Sequence, residues 1–246
     1  MKRLLASSLL AASLTACDTN DSGRAADSAR AIASVNKVDS ARSDDSSQTD
    51  TRCPGATNTF ECARAIEKDV LHRDAKHARR SGDSLILVLD NKSVRVFADS
   101  GKDAESVSFS YRAYLPSLAL HVIHEQYYEG SAFNLVSART GRSQYIPEEP
   151  VVSPSGRRIA SASAEEVTGY SPNQLMIWRG AGDSLALELD LQPQSFGFDR
   201  ARWVDDSTLD LVRVLPSETS PEGRREPAHA TYRAGKWHVD TLAPRA

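Results

Sequence analysis

Val152-Ser153-Pro154-Ser155-Gly156-Arg157-Arg158-Ile159-Ala160-Ser161-Ala162-Ser163, followed by Leu175-Met176-Ile177-Trp178, is the stretch on which the fold turns. Behind a Pro- and Gly-bearing turn, the runs 159–163 and 175–178 are short and β-rich, with the length of strands rather than of helices. The same grammar extends outward in both directions. Before the stretch come runs 85–89, 94–98, 107–114, 118–128 and 133–138, punctuated by Asp90-Asn91, Asp99-Ser100-Gly101 and Pro116. After it come 185–191, 201–204, 209–214, 229–232 and 237–241. The pattern predicts an all-β body over residues 83–246, built from consecutive antiparallel hairpins.

These runs fall into a loose repeat over residues 111–150, 151–194 and 198–242, near the 40–45-residue period of propeller blades. The quoted stretch is similar to one blade of WD-repeat or Tol-associated β-propeller proteins. The third unit echoes it with Arg202-Trp203-Val204-Asp205-Asp206-Ser207-Thr208-Leu209. Ser155 stands where those families carry Asp, and Arg179 where an Asp follows the Trp. The resemblance implies a small propeller-like body of up to about four blades, with Trp178, Trp203 and Trp237 as blade packing. An open β-meander or a sandwich is the alternative architecture.

Ahead of the β body, Asn58 with Glu61 resembles a capping box, and Phe60, Ala63, Ile66, Val70 and Leu71 recur at helical spacing. A helix over 59–77 is predicted, ended by Ser81 and Gly82. Its face bearing Glu61, Arg64, Glu67, Lys68 and Arg73 is expected in water, and the helix is a candidate cover for an open sheet edge.

The N-terminus sets the compartment. Lys2 and Arg3 precede a short apolar run over 4–14, and Leu14-Thr15-Ala16-Cys17 closes it. This resembles the signal peptide and lipobox of bacterial lipoproteins. The resemblance implies that residues 1–16 are removed, that the Cys17 thiol receives diacylglycerol and that its new amine is acylated. The protein is then held at a membrane of the bacterial cell envelope, facing the periplasm or the cell surface. Residues 17–52 lack Leu, Phe, Tyr and Trp, so they read as a disordered tether of reach on the order of 30–35 Å. Residues 53–82 hold the remaining cysteines and the helix. In an oxidising compartment Cys53 and Cys62 read as a disulfide, because their spacing fits neither C-x-x-C nor a zinc pattern.

Removing residues 1–16 takes away Lys2 and Arg3 and no acid, leaving 28 basic and 33 acidic residues, a formal charge of −5. A nucleic-acid binder usually carries a basic excess, so none is expected as a partner. No G-x-S-x-G, Gly-rich phosphate loop or metal-ligand motif occurs, so neither metal nor cofactor is expected. His121, His124 and Glu125 form the densest titratable group, but a strand sends His121 and His124 to opposite faces. His72 and His77 read as solvated helix residues. The paired acids at 148–149, 165–166 and 205–206 read as solvated turns.

The aromatic loops are the better binding candidates. Tyr127, Tyr128 and Glu129 sit at a hairpin tip, and Tyr170 and Asn173 in the long loop after Ser163. Exposed loop tyrosines contribute contact area at low entropy cost. The reading is a non-enzymatic binding or scaffolding module with an envelope protein partner. One alternative is an envelope glycan or peptide hydrolase built from His121, Glu125 and a loop acid. The other is a small-molecule or glycan binder using the tyrosine loops.

Overall fold

The computed structural model describes residues 53, 55–101, 105–128, 130–164, 172–220 and 223–240. The lipobox, Cys17 and the tether lie outside the described residues. Within them, one helix precedes fifteen strands arranged in four antiparallel sheets with no closed barrel. The all-β body of consecutive hairpins behind a helix is therefore as expected.

Helix α1 (Thr59–Arg73) starts where the sequence places it. The Asn58 side chain accepts the Glu61 N–H at 2.9 Å. Glu61 Oε2 accepts both the N–H and the hydroxyl of Thr57 at 2.8 Å, one residue further back than in a standard capping box. A disulfide between Cys53 and Cys62, with Cα atoms 5.2 Å apart, ties the preceding loop to the first turn.

The helix ends at Arg73, four residues earlier than expected. The Asp74 N–H returns to the Val70 carbonyl, and the Asp74 carbonyl accepts from His77 and Ala78. Strand β1 (Ala78–Ser81) follows and pairs with β2 (Ser84–Val88) across Gly82, whose φ is +55°. Ser81 and Gly82 are a hairpin corner, not a helix stop. Pairing places Ala78 in the core beside Val70, Leu85 and Leu87, burial that a longer helix would forgo. Glu67, expected in water, is only 2% exposed and meets Arg64 and Arg80 there.

Sheet A contains β1, β2 and β3 (Val94–Ala98). Sheet B runs β4 (Val107–Leu115), β5 (Leu120–Tyr127), β6 (Ser131–Ser137) and β7 (Ser143–Ile146). Sheet C runs β8 (Val151–Val152), β9 (Arg158–Ser163), β10 (Gln174–Ala181) and β11 (Ser184–Leu191). Sheet D runs β12 (Gly197–Asp205), β13 (Thr208–Leu215), β14 (Arg224–Arg233) and β15 (Lys236–Asp240). Sheets B, C and D follow the three repeat units, and β1, β7 and β8 are strands beyond those expected.

The apolar cores lie between consecutive sheets. Tyr111, Ile123 and Val136 of sheet B pack on Leu85, Leu87 and Val70. The opposite face of sheet B, with Leu120, Val122, Phe133 and Leu135, meets Ile159, Met176 and Trp178 of sheet C. The other face of sheet C, with Ala160, Leu175 and Ile177, meets Phe198, Trp203, Leu209 and Trp237 of sheet D. Sheets B and C are thus buried on both faces, which is why Leu175-Met176-Ile177-Trp178 of β10 reads as a continuous apolar run. Among the described residues no core joins sheet D back to sheet A.

Polar ties reinforce the stack. Trp203 Nε1 donates to the Val151 carbonyl at 3.1 Å. Arg158 of sheet C donates to Glu188 and lies over the Tyr232 ring of sheet D, 4.5 Å from its centroid. Trp237 Nε1 donates to the same Glu188 carboxylate at 3.1 Å.

Candidate functional site

Register fixes which side chains share the face of sheet B that looks toward sheet A. Tyr111, Ile123, Asn134 and Tyr145 form one row across β4 to β7. Phe109, Glu125 and Ala132 form the next, and Val107 and Tyr127 the one after. The first row begins in the core and ends at Tyr145, which is 54% exposed. Sheet A covers the near part of this face with three strands, against four in sheet B. Its outermost strand contributes Phe97, packed on Phe109 with ring centroids 5.3 Å apart.

Glu125 is the polar centre of this region. It is 6% exposed, and its Oε1 accepts the Tyr127 hydroxyl at 2.8 Å. Oε2 has no hydrogen bond, and neither has Oδ1 of the buried Asn134. Burial, then the hydrogen bond and charge of Glu125, push the Tyr127 phenol far above its usual range. The Tyr145 phenol is raised by burial, then by the charge of Glu125 and hydrogen bonding to it, with Asn134 and Arg95 acting the other way, so its hydroxyl sits close to the carboxylate. Tyr127 is 36% exposed, and Tyr128, at the hairpin tip, is 62% exposed. The arrangement is a buried carboxylate with a spare acceptor, rimmed by exposed phenol rings.

Of the sequence candidates, Tyr127 lies here, and Tyr128 is exposed at the hairpin tip that follows it. Asn173 lies elsewhere, half-buried beside Gly197 and Ala164 where sheets C and D meet. Glu129, Tyr170 and Cys17 lie outside the described residues. Tyr145 and Asn134 were not anticipated, because β7 carries no run of β-formers. Glu125, grouped in sequence with His121, belongs instead with Tyr127: it sits two positions away, and alternation puts both on one face.

The residues invoked for hydrolysis do not converge. His121 and Glu125 share a face of β5 but stand four residues apart, roughly 13 Å along the strand, with Ile123 between. His121 is fully buried and its Nδ1 lies 3.2 Å from the Tyr111 hydroxyl. His124, on the opposite face, stacks on Phe133. His77 is not a solvated helix residue: it stacks on Tyr114 with centroids 3.6 Å apart. Glu149 lies near Arg112, and Asp206 accepts the Ser155 N–H from the neighbouring sheet. Among the described residues no group of three His, Cys, Asp or Glu side chains could hold a metal ion.

Comparison with known proteins finds no protein family and no curated protein that matches this chain.

Proposed function

We propose that this chain is a non-enzymatic binding module, tethered by lipid on Cys17 to a membrane of the bacterial envelope, which engages a partner protein through the tyrosine cluster of sheet B. The observation that carries the binding half is the pair of partly exposed rings, Tyr127 and Tyr145, beside the buried Glu125 carboxylate, with Tyr128 exposed at the adjoining hairpin tip. Tyrosines of this kind suit interfaces, since each offers a large rigid surface with a polar tip. The lipobox-like Leu14-Thr15-Ala16-Cys17 supports the tethered half, and two or more acyl chains suffice for stable anchoring.

The test is cross-linking of the full chain in bacterial membranes, wild type against Tyr127→Ala/Tyr145→Ala. A protein captured by the wild type is expected to be lost from the variant, while cooperative melting shows both to be folded at the temperature of the assay. Equal capture by the two would sink the tyrosine site. Separately, Cys17→Ser is expected to move the protein from the membrane to the soluble fraction, and unchanged partition would refute the anchor.

A further inference from the structure

Sheets B, C and D each have four strands, and sheet A has three. Its last strand, β3, pairs with β2 alone among the named strands. The phase of that pairing can be read from its ends. Asp99 N–H donates to Asp83 O and Leu89 N–H to Ser93 O, both at 2.9 Å. In an antiparallel ladder the bonded pairs alternate, so Arg95 and Phe97 bond inward to β2. Val94, Val96 and Ala98 therefore direct their N–H and C=O groups to the outer edge, which among the described residues is open only up to Ser100, where both backbone hydrogen bonds are exchanged with Val107 of β4.

This edge carries few of the usual defences. An open edge strand is a template for pairing, commonly blunted by a bulge, a proline, a charge or extreme shortness. Val94-Arg95-Val96-Phe97-Ala98 has no proline, pairs without a register shift, is rich in β-formers and carries a single charge, Arg95, on the face toward Tyr145. The other outermost strands differ. β11 carries Glu188 and Asp190, β15 carries Lys236 and Asp240, and β7 is only four residues long.

The side chains on either side of the edge say what would fit. A strand added to β3 would lie about 4.8 Å beyond it, and its alternate side chains would face sheet B. Those side chains would meet Tyr145, Tyr127 and Glu125, whose Oε2 is without a hydrogen bond. A buried carboxylate beside phenol rings selects a cation, by ion pairing and by cation–π attraction. On the other face the added strand would extend Val94 and Val96, which are 47% and 54% exposed, and so favours apolar β-branched residues.

We infer that the free edge of β3 takes up an extended segment of a partner polypeptide as the fourth strand of sheet A, with a lysine or arginine of that segment directed at Glu125 and valine-like residues on the outer face. This rests on the binding-module reading above and names the kind of partner.

The test uses the full chain in detergent and a short synthetic peptide of alternating valine and threonine, with a central lysine at one threonine position. Hydrogen exchange is expected to show new protection at the amides of Val94, Val96 and Ala98 on peptide addition. Changing the peptide lysine to glutamate should weaken binding at least tenfold. Val96→Pro removes one outward N–H while sparing the β2 ladder, so it should fold and lose at least tenfold in affinity. Glu125→Gln should lower affinity for the lysine peptide and leave that for a glutamine peptide unchanged. Unaltered binding to Val96→Pro would overturn the inference. So would edge amides already protected in the free chain, which would mean a segment of this chain fills the position, or dimers that Val96→Pro dissolves. If a partner captured in membranes is retained by Val96→Pro and lost from Tyr127→Ala/Tyr145→Ala, the strand inference fails and the binding-module reading stands.

Discussion

Arg80 of β1 grips Glu67 of α1 with two parallel hydrogen bonds, Nε to Oε2 and Nη2 to Oε1, both 2.8 Å long. Glu67 also accepts from Arg64 at 3.0 Å and from the Tyr111 N–H at 2.9 Å. Asp99 joins the same group through Arg64 and the Phe109 N–H. One carboxylate thus holds together the helix, the first strand of sheet A and the first strand of sheet B.

Removing Glu67 takes away the carboxylate that two guanidinium groups share, leaving them Asp99 and the Phe109 carbonyl, and strips the buried Tyr111 amide of its acceptor. Glu67→Ala is expected to cost about 3 kcal/mol, in the range for breaking one side of a buried pair. Glu67→Gln, which keeps an acceptor for Tyr111, should cost less. Chemical denaturation measures both, and a loss below about 1 kcal/mol for the alanine variant would show the network to be energetically idle. In Glu67→Ala/Arg80→Met the loss should fall short of the sum of the single changes, because the two residues share one interaction.

The disulfide closes a loop with a sequence separation of 9. The chain-entropy treatment assigns a loop of this size roughly 2–3 kcal/mol. For a body of this length, each kcal/mol moves the melting temperature by about 2–4 °C. Cys53→Ser/Cys62→Ser is therefore expected to melt roughly 5–10 °C lower. A reducing agent should have the same effect on the wild type and none on the double variant.

Gly197 opens β12 in close contact with the end of sheet C. A Cβ there would lie 2.4 Å from Ala164 Cα and 2.5 Å from Asn173 Oδ1. The first of these is backbone and cannot swing away. Gly197→Ala is expected to destabilise by about 1–3 kcal/mol, as overpacking does, and to loosen the junction of sheets C and D. Gly182, with open space around its Cβ position but a φ of +61°, provides the contrast. Gly182→Ala should cost only the backbone strain of a left-handed residue, about 1 kcal/mol.

Strands with strong local signals were legible. The runs around Ile159, Leu175 and Leu209 combine apolar or β-branched residues with clear turns, and sheets B, C and D follow the repeat units they define. The elements that escaped notice depend on distant partners. Ser143-Gln144-Tyr145-Ile146 is a strand because β6 pairs with it, and Ala78-Arg79-Arg80-Ser81 because β2 does. The predicted helix runs to His77, and nothing local says that Ala78 is buried against Leu87. Glu67 reads as solvated for a similar reason, since Arg80 and Tyr111 are 13 and 44 residues away. The tyrosine cluster was half legible: the tip residues Tyr127 and Tyr128 announce themselves, whereas Tyr145 enters through a pairing that no motif encodes.

His121 makes stability depend on pH in a window of its own. It is fully buried, with Tyr111 and Tyr114 of β4 around it and His77 on its far side. Burial, and then the nearby His77, lower its pKa to about 4 against partial compensation from the Val88 backbone. The unfolded chain holds the ordinary value near 6.5. Between these values the unfolded state binds the extra proton, so stability is full above pH 6.5 and falls as pH drops toward 4. The loss across that interval is on the order of 3 kcal/mol at 1.36 kcal/mol per pH unit. His77, lowered chiefly by burial, acts in the same direction. Asp74, raised by burial, acts in the opposite direction just above its ordinary range. His121→Gln keeps an acceptor for the Tyr111 hydroxyl and removes the titration. Its unfolding free energy, followed by urea denaturation from pH 7 to pH 4, should decline much less steeply than that of the wild type. Parallel pH profiles for the two proteins would show that His121 is not the group responsible.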